Sequence, residues 1–177
     1  MNKLLIAAAA ALLSAAASPV FAEDSGMSFY GNLGVTAYHV SDGVNSANLG
    51  ALGGRVGARF AKYIGVEGEA GFGVNSVNVA GSNVKISSAF GGYAVGFLPV
   101  APNADIFARV GYGHETASAS GGGFSLTVGG DTVNYGGGGQ YFFDDKNGMR
   151  LDYTRFQSTH SGGGGTDTFS VAYVRKF

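Results

Sequence analysis

"GGRVGARFAKYIGVEGEAGFGV", Gly53 to Val74, places Arg55, Arg59, Glu67 and Glu69 at alternating positions in two adjacent runs, with apolar residues between them. Alternate residues share one face of a β-strand. Two such runs joined at Lys62-Tyr63 predict a hairpin with one ionic, glycine-rich face and one apolar face. Which face meets water decides the fold, because a soluble barrel or sandwich turns its apolar face inward and a membrane barrel turns it outward.

The same alternation recurs along the chain. After residue 27 no helical period lasts longer than a turn, and the pattern predicts eight strands, at 28–40, 51–62, 64–76, 84–98, 105–117, 130–143, 148–160 and 167–177. All are long beside the usual five or six residues or so, and they suit the roughly nine to eleven that cross a bilayer at a tilt. Short connections fall at Lys62-Tyr63, "PVAPNA" (99–104) and "DDKNG" (144–148), where Asn-Gly is a turn signal. Longer polar ones fall at 41–50, 77–83, 118–130 and 161–166. Strict alternation of short and long connections gathers all short turns at one end of an up-and-down antiparallel sheet.

Two features of the pattern turn the apolar face towards lipid. The ionic face of the opening hairpin mixes large charges with Gly57, Gly65, Gly71 and Gly73. On a water-facing strand glycine only weakens the sheet, whereas a narrow eight-stranded bore requires small residues beside large ones. The apolar face, read as Val56, Phe60, Val66, Phe72, Tyr93, Val95, Phe97, Ile106, Val110, Tyr112, Tyr135, Tyr141, Met149, Leu151 and Tyr153, gathers aromatics near strand ends, as interfacial girdles do. The expected fold is all-β: an eight-stranded antiparallel up-and-down transmembrane β-barrel.

Composition bounds the rest. Lys3, the run "LLIAAAAALLSAAA" and "SPVFA" predict a secretory signal peptide, residues 1–22, cleaved after Ala22, ahead of one barrel domain, 23–177. Basic residues number 11 against 12 acids with no basic block, which argues against nucleic acid as a partner. With 0 cysteines, disulfides cannot stabilise an exported chain. The 32 glycines show no collagen period and are interleaved with 22 Phe and Tyr residues, which argues against disorder and places glycine within strands and turns.

The last ten residues, "TFSVAYVRKF", set Phe169, Val171, Tyr173 and Phe177 on one face. Together with the "RVGARFAKYIGVEGEAGFG" hairpin and "MRLDYTRF", this resembles the small outer-membrane β-barrel family of Gram-negative bacteria, the OmpA/OmpX and opacity-protein type. The resemblance implies that Phe169, Val171, Tyr173 and Phe177 form the signal read by the barrel-assembly machinery, although Arg175 stands where the family has an apolar residue. It also implies location in the outer membrane, with that membrane's lipid as surroundings and a monomer as the working state.

With the apolar face outward, the bore receives Arg55, Arg59, Glu67, Glu69, Arg109, Glu115, Arg150 and Asp152. Charges withdrawn from bulk water require partners, so an Arg–carboxylate ladder filling the lumen is expected, the planar guanidinium being suited to gripping both carboxylate oxygens. Such a ladder implies a plugged, stand-alone barrel serving envelope structure or surface interaction through its long loops. The alternatives are a narrow porin-like ion path, a soluble periplasmic barrel for an apolar ligand, and a lipid A-modifying enzyme using His39 and Ser41. That pair has only Asp42 as a nearby acid, short of the base, nucleophile and orienting acid that catalysis needs. No cofactor, metal or catalytic residue is expected, and no ligand is named by the loops.

Overall fold

The computed structural model describes residues 26–41, 46–79, 82–121, 124–160 and 165–177. The expected signal peptide with its cleavage point, and Asp42, lie outside the described residues. The strands are β1 Ser28–Ser41, β2 Ser46–Ala61, β3 Ile64–Gly73, β4 Val77–Val79, β5 Ser82–Ala101, β6 Ala104–Gly121, β7 Phe124–Phe142, β8 Asn147–Ser158 and β9 Gly165–Lys176. Pairing is antiparallel throughout; β3 pairs with β5, and β9 returns to β1, which closes eight strands into a barrel. The three-residue β4 pairs with β5 above the long-loop rim.

Register fixes the shape of the barrel. A circuit across paired residues from Phe29 through Ala58, Val66, Ala94, Val110, Tyr135, Arg155 and Asp167 returns to β1 at His39, ten residues further on. For eight strands that offset requires a tilt of about 40° and a backbone radius of roughly 8 Å, room for side chains and little else.

Burial answers the question of the opening hairpin. Arg55 and Glu67 are 7% and 3% exposed, while Val56 and Val66 between them are 42% and 48% exposed. The apolar face is the outer one. It continues through Ile106, Val110, Leu151 and Val171 at mid-wall, with Tyr141 and Phe143 towards the short turns and Tyr112, Tyr135, Tyr153 and Phe169 towards the other end.

Three expectations change. Tyr93, Val95 and Phe97, expected outside, are buried in the bore, and the outward residues of β5 are Phe90, Leu98 and Val100. Both faces of this strand are apolar, so alternation could not choose between them, and a register shift between Ile86 and Ser88 moves the phase near its top. The connections expected at 41–50, 77–83 and 118–130 are largely strand: β6 runs to Gly121 and β7 starts at Phe124. Finally, the turn at 144–148 is made by Asp144, whose carboxylate accepts from the backbone N–H of Lys146 (2.8 Å) and of Asn147 (2.7 Å). Asn147 and Gly148 already belong to β8.

Candidate functional site

The inward positions of four strands bring six charges together at mid-lumen. Arg55 on β2 donates through Nε to Glu69 on β3 at 2.7 Å and through both terminal nitrogens to Asp152 on β8, at 2.7 and 3.1 Å. Arg150 on β8 grips Glu67 on β3 through both terminal nitrogens, at 2.5 and 3.1 Å. Arg109 on β6 reaches Glu69 at 2.6 Å and lies 3.6 Å from Glu67. Three guanidiniums thus face three carboxylates, and the cluster is neutral as a whole. Removing one partner from such a buried set leaves an uncompensated charge, at a cost of about 3–5 kcal/mol.

Aromatic rings fill what the charges leave. Arg109 lies over the Tyr93 ring at 3.8 Å and Arg150 over Phe107 at 3.7 Å, which gives the guanidinium faces a partner as well as their edges. The Tyr30 hydroxyl donates to Glu67 at 2.7 Å, and Asn134 donates to the Tyr93 hydroxyl at 3.1 Å. Tyr30, Val95, Phe97, Phe107, Phe142 and Val174 pack as a layer on the turn side, and Tyr38, Leu49, Ala51 and Ile86 as another at the mouth. The glycines of the ionic face serve these rings: a Cβ at Gly57 would collide with the ring of Tyr30, and one at Gly111 with that of Tyr93.

Arg59 and Glu115 stand apart from the cluster. Arg59 sits nearer the turns and pairs with Asp105 at 3.2 Å, a carboxylate also held by Gln140 at 2.8 Å. Asp105 shares the alternating face of Arg109, so its inward position was readable from spacing. Glu115 points into the mouth, three inward positions above Arg109, and among the described residues no ion pair reaches it. The expected ladder of four bases and four acids is therefore a six-membered cluster with one separate pair below and one carboxylate above.

The bore is nearly full at the cluster. A void of about 20 Å³ remains beside Arg55, between Asn32, Thr36, Glu69 and Ser170, enough for about one water. At the turn end the lumen widens into an open cavity of about 530 Å³ bounded by Arg59, Lys62, Asp105, Phe142 and Lys176.

Outside, His39 lies on the outer face, opposite Asp167 in register. His114 meets Asp131 at 2.8 Å, and among the described residues no three metal-ligating side chains gather. Phe169, Val171 and Tyr173 face outward on β9, and the backbone N–H of Phe177 donates to Phe29 at 3.0 Å.

An outward apolar band, paired charges inside and a closed eight-stranded wall describe a barrel built to sit in lipid. The sequence model of the outer membrane protein beta-barrel domain matches residues 8–177. The chain belongs to that family. No curated protein matches it in sequence. Among solved structures, this outer-membrane barrel is similar to Neisserial surface protein A, at 14% identity over 86% of this chain and 99% of that one, with a TM-score of 0.71. It is also similar to Ail, the attachment invasion locus protein of Yersinia pestis, at 16% identity over 86% and 99%, with a TM-score of 0.62. OprG of Pseudomonas aeruginosa matches at 11% identity over 86% and 96%, with a TM-score of 0.57. These likenesses establish the transmembrane fold, and the family places the barrel in the outer membrane.

Proposed function

We propose that this barrel is a surface-attachment or envelope protein whose interior is a structural plug and whose working surface stands outside the membrane. The observation that carries this reading is the lumen, where three guanidiniums and three carboxylates meet across the bore between two aromatic layers. An ion would have to break that network to pass. Ail, named for attachment and invasion, supplies a functional parallel. One Ail structure holds the heparin analogue sucrose octasulfate, but the described rim of the present barrel suits a sulfated ligand poorly. Arg155 is committed to Asp167 at 2.9 and 3.1 Å and His114 to Asp131 at 2.8 Å. Apart from Lys85, the described top of the β5–β7 sheet offers hydroxyls and apolar side chains, which fits an uncharged or protein partner better.

Under this reading residues 1–22 direct export and are removed, 23–177 form a monomeric barrel, and Phe169, Val171, Tyr173 and Phe177 are read by the assembly machinery. The barrel carries out no catalysis. Planar-bilayer recording tests the plug: insertion confirmed by heat-dependent gel mobility should come without steady conductance. Steady channels would reverse the reading in favour of a narrow ion path. Cells displaying the barrel should attach to eukaryotic cell monolayers, and replacing 117–128 by a short Gly-Ser turn should remove attachment while mobility is kept. Lipid A acylation should be the same with and without the barrel.

A further inference from the structure

The turn end of the lumen carries charge that the barrel leaves unanswered. Below the mid-lumen cluster, inward positions continue through Arg59 on β2, Asp105 on β6, Phe142 on β7 and Lys176 on β9. With Lys62 and the turn at 99–103 they bound the open cavity of about 530 Å³. Its charged wall is three cations and one carboxylate. Asp105 pairs with Arg59 at 3.2 Å and also accepts from the Gln140 amide at 2.8 Å. Among the described residues no ion pair reaches Lys62 or Lys176. On the next turn, the Asp144 carboxylate is engaged by the backbone N–H groups of Lys146 and Asn147, and neither Asp144 nor Asp145 lines the cavity. The six-charge cluster above is neutral, whereas this cavity keeps two positive charges in excess.

Both excess charges are seated by the fold. The Lys176 ammonium lies 3.5 Å from the centre of the buried Phe142 ring, and the backbone N–H of Lys176 donates to Lys146 at 2.7 Å. An ammonium resting on a ring keeps its other side for a ligand. The Lys62 carbonyl accepts from Arg59 Nε at 2.9 Å and from one of its terminal nitrogens, which holds the Lys62 turn against the barrel end. The guanidinium of Arg59 is thereby engaged by Lys62 and Asp105. What remains available is two ammoniums, compact point charges without the planar fork that grips a carboxylate at two points. A phosphate monoester brings a charge of about −1.5 to −2 at neutral pH on three acceptor oxygens, which answers both ammoniums. One carboxylate answers only one. The cavity is also within the roughly 300–1,000 Å³ of ordinary small-ligand sites, and uncharged Pro99, Ala101 and Pro102 leave room for the organic part of an ester. Its lining comes from inward positions and turns, so access is from solution at the barrel end.

From this geometry we propose that the turn-end cavity binds a soluble phosphate monoester, its phosphate held between Lys62 and Lys176. The site goes beyond the surface-attachment reading and stands whether or not displaying cells attach. The test uses the full mature chain folded in dodecyl maltoside micelles, which contain no phosphate, with glycerol 2-phosphate as the probe and backbone amide NMR as the readout. Saturable shifts are expected at Lys62, at 99–103 and at Lys176. Lys62→Gln combined with Lys176→Gln should weaken binding about tenfold or more, while Arg175→Gln, which removes an exposed cation at the same end on the outer face, should leave it unchanged. Unchanged heat-dependent gel mobility shows that the variants are folded. Shifts that never saturate would overturn the proposal, as would equal weakening in both variants, since either result means general attraction between charges. Acetate binding as tightly at equal ionic strength would overturn the match to a doubly charged group. Binding seen only after phosphatidic acid is added to the micelles would overturn the soluble ester in favour of a lipid headgroup.

Discussion

Strands β6 and β7 form a single hairpin with two opposite halves. From Ala104 to Tyr112 and from Val133 to Tyr141 the hairpin is apolar outside and, Phe107 apart, polar or glycine within, with Val110 and Tyr135 exposed and Arg109 and Asn134 buried. From Ala117 to Val128 it is polar outside and apolar within. The pairing is continuous and the parity of the backbone never slips, so the reversal is written wholly in side chains, around Gly129-Gly130. The change marks where the outer solvent stops being lipid and becomes water. The same backbone thus answers to two solvents, and the sheet's inner face is packed at Ile86 and bare at Val128, Leu126 and Phe124.

The contrast is broken most severely from the inside. Arg150→Ala leaves Glu67 buried without its two-point partner, and stability in detergent should fall by about 3–5 kcal/mol, read from denaturant-induced loss of the compact gel form. Replacing both residues by apolar ones of similar volume, Arg150→Met with Glu67→Leu, should restore much of that loss. Next comes the outer face. Val110→Arg puts a charge on the mid-membrane wall and should cost about 2–4 kcal/mol, whereas Leu126→Lys on the bare ribbon should stay within about 0.5 kcal/mol. Equal effects at the two sites in the same unfolding assay would erase the distinction between the halves. Gly57→Val forces the Tyr30 ring out of place, and a loss of about 1–3 kcal/mol is expected. A double-mutant cycle with Tyr30→Ala should return most of it.

The smallest effect lies at the turn that Asp144 closes. Asp144 is held below the usual carboxylate range by the Asn147 side chain, then by the backbone N–H groups of Lys146 and Asn147. Its folded value is lowered, so the turn's contribution is present above the unfolded value of about 3.9 and fades as pH falls through the folded one. Amide exchange at Lys146 and Asn147 should quicken in acid, and Asp144→Ala should show the quickened rate already at neutral pH.

Much of the lumen was legible because charges at alternate positions admit few other readings. Arg55, Glu67, Glu69, Arg109, Arg150 and Asp152 all point where parity sends them. Their partners were not legible, since Arg55 meets Asp152 and Arg150 meets Glu67 across the bore, through a tilt and register that no single strand encodes. Glu115 shows the limit of parity: the right face, but too far up the wall for the cluster. The face of β5 was undetermined because Tyr93, Val95 and Phe97 alternate with residues as apolar as themselves, Ala94 and Leu98 among them. In the ribbon the signal was present, as Phe124, Leu126 and Val128 alternate with Ser125 and Thr127. Glycines on both sides gave the stretch the look of a loop.

The cross-bore pairs also bear on how the barrel comes to be finished. Arg55 and Glu69 are 14 residues apart and belong to one hairpin, so they can meet as soon as that hairpin forms. Arg55 and Asp152 are 97 residues apart, and Arg150 and Glu67 are 83 apart, on strands that face each other only after β9 has found β1. Until that seam zips, a growing sheet lacks the two-point pairs of Arg55 with Asp152 and of Arg150 with Glu67, and the last strand pair supplies both together. The salt-bridge cluster therefore works as a latch, making an incomplete barrel costly to leave in lipid and a completed one slow to reopen.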